Sequence, residues 1–180
     1  MFTRVLGRGG PTVSALGLGC WAIGGPFWRG DRPIGWGKVD DAESLRALQR
    51  ALDLGVTFFD TSDVYGCGHS ERLLGQALAG RRSHVVIATK FGNVFDEQTR
   101  HVTGEDASPA FIRRACEASL ERLQTDYIDL YQFHLGRYDL SRAVEVRDTL
   151  EALVADGKIR AYGWSTDDPE RARLFAAGPH

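Results

Sequence analysis

Cysteine is scarce. Cys20, Cys67 and Cys116 are the only three in 180 residues, too few for a disulfide framework. They have no CxxC or Cys/His spacing either, so neither structural zinc nor any other metal is expected. No apolar run approaches the length of a membrane span, and Met1-Phe2-Thr3-Arg4 is followed by Gly and Pro rather than by a signal-peptide core. No charge of one sign dominates: 22 basic residues face 24 acidic ones, a net charge of -2, so nothing draws the chain toward nucleic acid or an anionic membrane. These absences lead to the expectation of a cytoplasmic globular chain forming a single domain over residues 1–180, long enough to bury a core. Cys67, between Gly66 and Gly68 and near His69, suggests a reactive thiol, but its glycine neighbours favour a small residue in a tight turn.

What the chain does have is a rhythm. Val5-Leu6 and Val13 to Leu16 flank Gly9-Gly10-Pro11 and read as a hairpin. Gly17 to Ala22 reads as a strand. Asp40 opens a helix with Glu43 in capping-box position and Leu45, Leu48 and Leu52 on one face, and Gly55 closes it. Val56 to Asp60 is strand, Ser70 to Leu78 helix, Val85 to Lys90 strand. Ser108-Pro109 starts a helix through Phe111, Ile112, Ala115, Cys116 and Leu120. Ile128 to His134 is the fourth strand of the series, Ser141 to Asp156 a helix stopped by Gly157, and Arg160 to Ser165 the fifth strand. Asp168-Pro169 starts a last helix that ends at Gly178-Pro179-His180.

Strands and helices alternating in this way imply parallel strands joined by right-handed crossovers, an α/β fold. A doubly wound sheet would place a GxGxxG loop after the first strand, and neither Gly17-Leu18-Gly19 nor Gly66-Cys67-Gly68 extends to one. Three of the apolar runs instead end on chemistry: Asp60, Lys90 and His134, with Tyr65 five positions beyond Asp60. Catalytic groups delivered from the ends of several strands are the habit of an α/β barrel. The expected fold is therefore an incomplete (β/α)8 TIM barrel, about five parallel strands behind an N-terminal β-hairpin.

These residues resemble the aldo-keto reductase family. Phe58-Phe59-Asp60-Thr61-Ser62-Asp63-Val64-Tyr65-Gly66-Cys67-Gly68-His69-Ser70-Glu71 is similar to that family's signature around its Asp and Tyr, and Val86-Ile87-Ala88-Thr89-Lys90 to its lysine strand. Leu123 to His134 resembles the stretch delivering its histidine, and Gly157 to Ser165 its fifth strand. The resemblance implies NADPH-dependent interconversion of carbonyls and alcohols, with Asp60, Tyr65, Lys90 and His134 as the catalytic tetrad. It also implies Gly19, Cys20, Trp21, Asp60, Ser165 and Thr166 as cofactor-binding positions. Thr166-Asp167 stands where many members follow the serine with asparagine, and Thr166 keeps a hydroxyl there.

The chemistry suits the four groups. Hydride addition leaves negative charge on a carbonyl oxygen, which a positioned phenol neutralises, and an ammonium in contact with a phenol favours the phenolate. Lys90 is the source of that field, Asp60 its partner, and His134 the group that orients the oxygen. Aromatics in the segment 25–37 belong on the catalytic rim of a barrel, so Trp21, Trp28 and Phe91 are expected to line an apolar pocket for a small carbonyl substrate. Family barrels have eight strands, and five are legible here. The expectation is a truncated form with impaired cofactor binding, its open sheet edges inviting a homo-oligomer. Two alternatives stand beside it: a non-enzymatic assembly subunit with an idle site, and a Schiff-base lyase with Lys90 as nucleophile. Without a GxSxG elbow, a hydrolase is set aside.

Overall fold

The computed structural model describes residues 1–7 and 9–179. It opens with the expected hairpin: β1 (Thr3–Val5) pairs antiparallel with β2 (Thr12–Ser14), Thr3 opposite Ser14. Ser14 then ties the hairpin to the rest of the chain, since its N–H donates to Thr57 Oγ1 and its Oγ accepts from the Thr57 N–H. β3 (Leu18–Gly19) is much shorter than the expected strand over 17–22. The chain leaves the sheet there in a single 3-10 turn, Ala22–Gly24, and Gly24 presses against the backbone of Tyr65 and Gly66.

β4 (Trp28–Arg29) and β5 (Arg32–Pro33) form a small hairpin where the sequence suggested only a loop. Helix α1 (Asp41–Asp53) is capped by Asp40, whose carboxylate accepts from the Glu43 N–H at 3.0 Å. The reciprocal half of the capping box does not close, because the Glu43 side chain pairs with Arg46 instead. β6 (Phe58–Asp60), α2 (His69–Ala77) and β7 (Val86–Phe91) follow. Then comes a second hairpin that the sequence did not reveal, β8 (Asn93–Asp96) and β9 (His101–Glu105). Its turn is built by Asp96, which accepts from the N–H groups of Gln98 and Thr99, and by Arg100 at φ 56 in place of a glycine. The series resumes with α3 (Pro109–Leu123), β10 (Ile128–Phe133), α4 (Ala143–Ala155), β11 (Ile159–Trp164) and α5 (Pro169–Ala176). Ser108 and Asp168 cap α3 and α5 as expected; His180 lies outside the described residues.

The main sheet is parallel and ordered β3-β6-β7-β10-β11. The strands of this sheet follow one another in chain order and the order never reverses, so this is an arc of an α/β barrel and not a doubly wound sheet with a switch point. Alternation divides the strand residues between two faces. Phe59, Ile87, Phe91, Tyr131, Phe133 and Trp164 meet the helices in one continuous core. Fully burying a side chain such as Phe59 or Ile87 contributes about 2 kcal/mol. Asp60, Lys90 and Gln132 stand on the other face. A second sheet, β5-β4-β9-β8, supplies side chains to the rim above the strand ends. Among the described residues, no helix is long and apolar enough to cross a membrane.

Candidate active site

Asp60 ends β6, Lys90 lies one residue from the end of β7, and His134 follows β10 directly. The register pairs Asp60 with Ala88 and Gln132 with Lys90, which sets these side chains abreast. The Lys90 ammonium is almost fully buried and has three protons to place. It donates to Asp60 Oδ1 at 2.7 Å, to the Thr61 carbonyl at 2.6 Å and to Tyr65 Oη at 3.3 Å. Gln132 Nε2 donates to the other oxygen of Asp60 at 3.4 Å. Gln132 was not singled out in the sequence, although its position on β10, two before His134, places it on the same face.

Tyr65 is held there by backbone. The segment after β6 returns on itself through Gly66, Cys67 and Gly68, all at positive φ. A Cβ on Gly66 would lie 1.9 Å from the Gly24 carbonyl oxygen, so only glycine allows the two turns to meet. Cys67 is the small buried turn residue its neighbours suggested, and burial pushes its thiol up to about 12. Trp21 stacks on the Tyr65 ring at 5.9 Å, and His134 meets it edge-on at 6.2 Å. Burial, reinforced by the Lys90 ammonium and opposed by Asp60, pushes the His134 imidazole down to about 4. The ring is neutral at pH 7.

Behind the Tyr65 turn lies a buried polar network with no counterpart in the sequence reading. Glu71, without exposed surface, accepts from Thr89 Oγ1 at 2.6 Å and from Arg122 Nε at 2.7 Å. Arg122 also reaches Glu97 and Ser119. Asp63, 1% exposed, is pushed up to about 8 by burial and by Glu71, against the pull of Arg122.

Tyr65 and His134 open into a cavity of about 320 Å³ walled by Trp21, Phe27, Ile34 and Leu135, with Arg29, Asn93 and Glu105 at its rim. That size suits a small ligand. Two expected wall residues are elsewhere. Phe91 follows Lys90 on β7 and so points the opposite way, fully buried in the helix-side core with its ring stacked on Tyr131 at 4.5 Å. Trp28 sits between the two residues that do face the cavity, Phe27 and Arg29, and stacks instead on His101. Strand alternation displaces both.

The positions taken as cofactor-binding divide among three concavities. Ser165 and Thr166 line a second depression of about 660 Å³ with Gly136, Asp167, Asp168 and Arg171, and His134 borders both it and the first cavity. Trp21 belongs to the first cavity. Gly19 and Asp60 share a hollow beside the hairpin. The Cys20 side chain faces none of them: it is buried in the core, its thiol donating to the Leu18 carbonyl and pushed up to about 12 by burial and by Asp60. Only its backbone serves the site, donating to the Asp60 carbonyl and accepting from Ser70 Oγ.

Comparison with known proteins places this geometry among relatives. The model described as "Aldo/keto reductase family" matches residues 15–177. The chain is 39% identical over 170 residues to the aldo-keto reductase YhdN of Bacillus subtilis, covering 93% of this chain and 48% of that protein. Among solved structures, the holo form of aldo-keto reductase AKR11C1 from Bacillus halodurans superposes with a TM-score of 0.81 at 38% identity, over 94% of this chain and 51% of that one. An aldo/keto reductase from Klebsiella pneumoniae in complex with NADP and acetate gives a TM-score of 0.71 at 35% identity, over 92% and 50%. The chain spans about half the length of the curated relatives it matches.

Proposed function

The chain belongs to the aldo/keto reductase family, and on that premise we propose that it is an NADPH-dependent oxidoreductase interconverting an aldehyde or ketone and its alcohol, with Tyr65 as general acid and base. The observation that carries this reading is the Lys90 ammonium bound at once to Asp60, the Thr61 carbonyl and the Tyr65 hydroxyl. NADPH, when bound, supplies the hydride to the carbonyl carbon. The Tyr65 hydroxyl donates its proton to the carbonyl oxygen as negative charge develops there. Lys90 stabilises the phenolate left behind, and Asp60 holds the ammonium in place. Neutral His134 donates a ring N–H to the same oxygen, while Trp21, Phe27 and Leu135 keep water from it.

The residues present fit the cofactor. The depression bordered by His134 offers the hydroxyls of Ser165 and Thr166, groups suited to an amide, beside the guanidinium of Arg171, which pairs with Asp168 and the Tyr138 carbonyl. Ser165 and Thr166 would hold the nicotinamide carboxamide. The relative solved with NADP and acetate supports the choice of nucleotide. Because the chain spans about half the length of its curated relatives, we assign the 180-residue polypeptide weak NADPH binding, and reduction that needs high cofactor concentration. A nicotinamide fluorescence titration and aldehyde reduction at millimolar NADPH test this. We expect binding weaker than micromolar and turnover that Tyr65→Phe reduces by about 10²-fold or more. A Tyr65→Phe variant as fast as the parent refutes the reading.

Imine formation on Lys90 is disfavoured, because that chemistry needs a neutral amine with a free lone pair and all three protons here are engaged. Assembly is a compatible second role. Among the described residues, β3 and β11 each pair with one strand only, and a homo-oligomer through those edges is checked by sizing. A monomer at high concentration would exclude it.

A further inference from the structure

We propose that Ser62 and Asp63 are positioning residues for His134: the Asp63 carboxyl donates to the Ser62 hydroxyl, which donates to His134 Nδ1, leaving Nε2 to carry the ring proton toward the cavity.

The geometry is a three-link chain. Ser62 Oγ lies 3.1 Å from Asp63 Oδ1 and 3.4 Å from His134 Nδ1. Ser62 has no exposed surface, and Asp63 almost none. The backbone fixes the ends, since the His134 N–H donates to the Phe91 carbonyl and the Asp63 N–H to that of Lys90. His134 lines the cavity with Tyr65; with Nδ1 turned to Ser62, Nε2 is the nitrogen left to meet a ligand.

A hydroxyl has one proton and cannot donate to both neighbours. If Asp63 is ionised, Ser62 donates to it and must accept from Nδ1–H, so Nε2 is bare and can only accept. If Asp63 holds a proton, the carboxyl donates to Ser62, Ser62 donates to Nδ1, and Nε2 carries the hydrogen. Which ring nitrogen is protonated is decided by the bond the other makes.

The surroundings select the second arrangement. One buried guanidinium stands near two carboxyls, and Glu71 takes it directly through Arg122 Nε at 2.7 Å, with Thr89 Oγ1 also donating. Arg122 spends its remaining contacts on Glu97 and Ser119. Asp63 is left buried beside a like charge with no cation in contact, and burial and Glu71 together outweigh Arg122, the Ser62 hydroxyl and the Val64 N–H, which favour the anion, so the carboxyl retains its proton. The charged and titratable groups acting on Asp63 are Glu71 from α2 and Arg122 from α3, with Cys67 on its own turn and Tyr131 from β10. Those acting on His134 are Lys90 from β7 and Asp60 from β6, with Tyr65 against its ring.

The two states differ by the one proton that leaves Asp63. The imidazole stays neutral in both, exchanging its ring proton with solvent on the cavity side. A carbonyl oxygen is met by a donor while Asp63 holds its proton and by a lone pair once Asp63 is ionised. That consequence rests on the reductase reading, but the tautomer itself does not.

The test is long-range 1H–15N correlation NMR of the 180-residue chain labelled at its five histidines, the His134 signals assigned by their loss in His134→Asn. The dominant His134 tautomer should change from Nε2–H at about pH 6.5 to Nδ1–H at about pH 9.5, with a midpoint near 8. Asp63→Asn, whose amide is a permanent donor, should keep Nε2–H at both values, and Ser62→Ala should abolish the change. A parent chain with the same tautomer at both pH values overturns the proposal, as does a change that persists in Ser62→Ala. Loss of the reductase reading through an active Tyr65→Phe variant leaves these spectra unaffected, so the two failures are distinguishable.

Discussion

Replacing Arg122 with methionine removes a cation that is 6% exposed from contact with a carboxylate that has no exposure at all. Methionine keeps most of the aliphatic volume against Gly68 and Phe95, so the loss is electrostatic. Stranding one member of a buried pair costs about 3–5 kcal/mol. The upper end is limited, because Glu71 can escape by taking a proton, and protonating a glutamate at pH 7 costs about 4 kcal/mol. The contact with Glu97 adds little, its side chain being 40% exposed. The expected destabilisation is therefore about 3–4 kcal/mol. With a urea slope of about 2 kcal/mol/M, the unfolding midpoint falls by about 1.5–2 M. The double variant Arg122→Met/Glu71→Gln removes the stranded charge and should recover more than half of that loss. A loss below about 1 kcal/mol for the single variant, or a double variant that loses the sum of its parts, would refute the reasoning.

Gly66→Ala should destabilise the fold by more than about 2 kcal/mol, because it combines positive φ with backbone overlap. Gly80→Ala, also at positive φ but with nothing near its Cβ, should cost about 1 kcal/mol; equal losses in urea unfolding would contradict the Gly24–Gly66 packing argument. Acid should weaken the fold through His134. Its folded value of about 4 lies below the ordinary 6.5, so the unfolded chain takes up the proton first. The stability this group contributes is complete above about pH 6.5 and is lost as pH falls through about 4, at most about 3 kcal/mol in all. His134→Asn should flatten that part of the pH–stability curve, and a curve unchanged by the substitution would assign the acid sensitivity elsewhere.

The strand ends were legible because parallel strands in this fold are short apolar runs, and a charged residue closing one is conspicuous. Asp60, Lys90 and His134 were read in that way, and Tyr65 came with them through its glycine-flanked turn; the structure brings all four together. The helix signals also carried: Asp40, Ser108 and Asp168 each cap where expected. The β4–β5 and β8–β9 hairpins were not legible. Neither has a strong apolar alternation, and the second turns on Arg100 in a conformation usually given to glycine. Missing them cost the cavity its true walls. Trp28 and Phe91 were chosen for aromaticity, whereas Phe27, Ile34 and Asn93 are placed by strand parity and by a sheet the pattern did not announce. The Asp63–Glu71–Arg122 network was hidden for another reason: charged residues on a turn or a helix, such as Asp63 after β6, Glu71 on α2 and Arg122 on α3, read as solvated until packing shows them buried.

Tyr65 and Lys90 act as one unit, and a double-mutant cycle on aldehyde reduction at millimolar NADPH tests that directly. Tyr65→Phe and Lys90→Met should each reduce turnover by about 10²–10⁴-fold, and the double variant should be no slower than the slower single. Losses that multiply would mean that the ammonium and the phenol act independently, and would contradict the central claim.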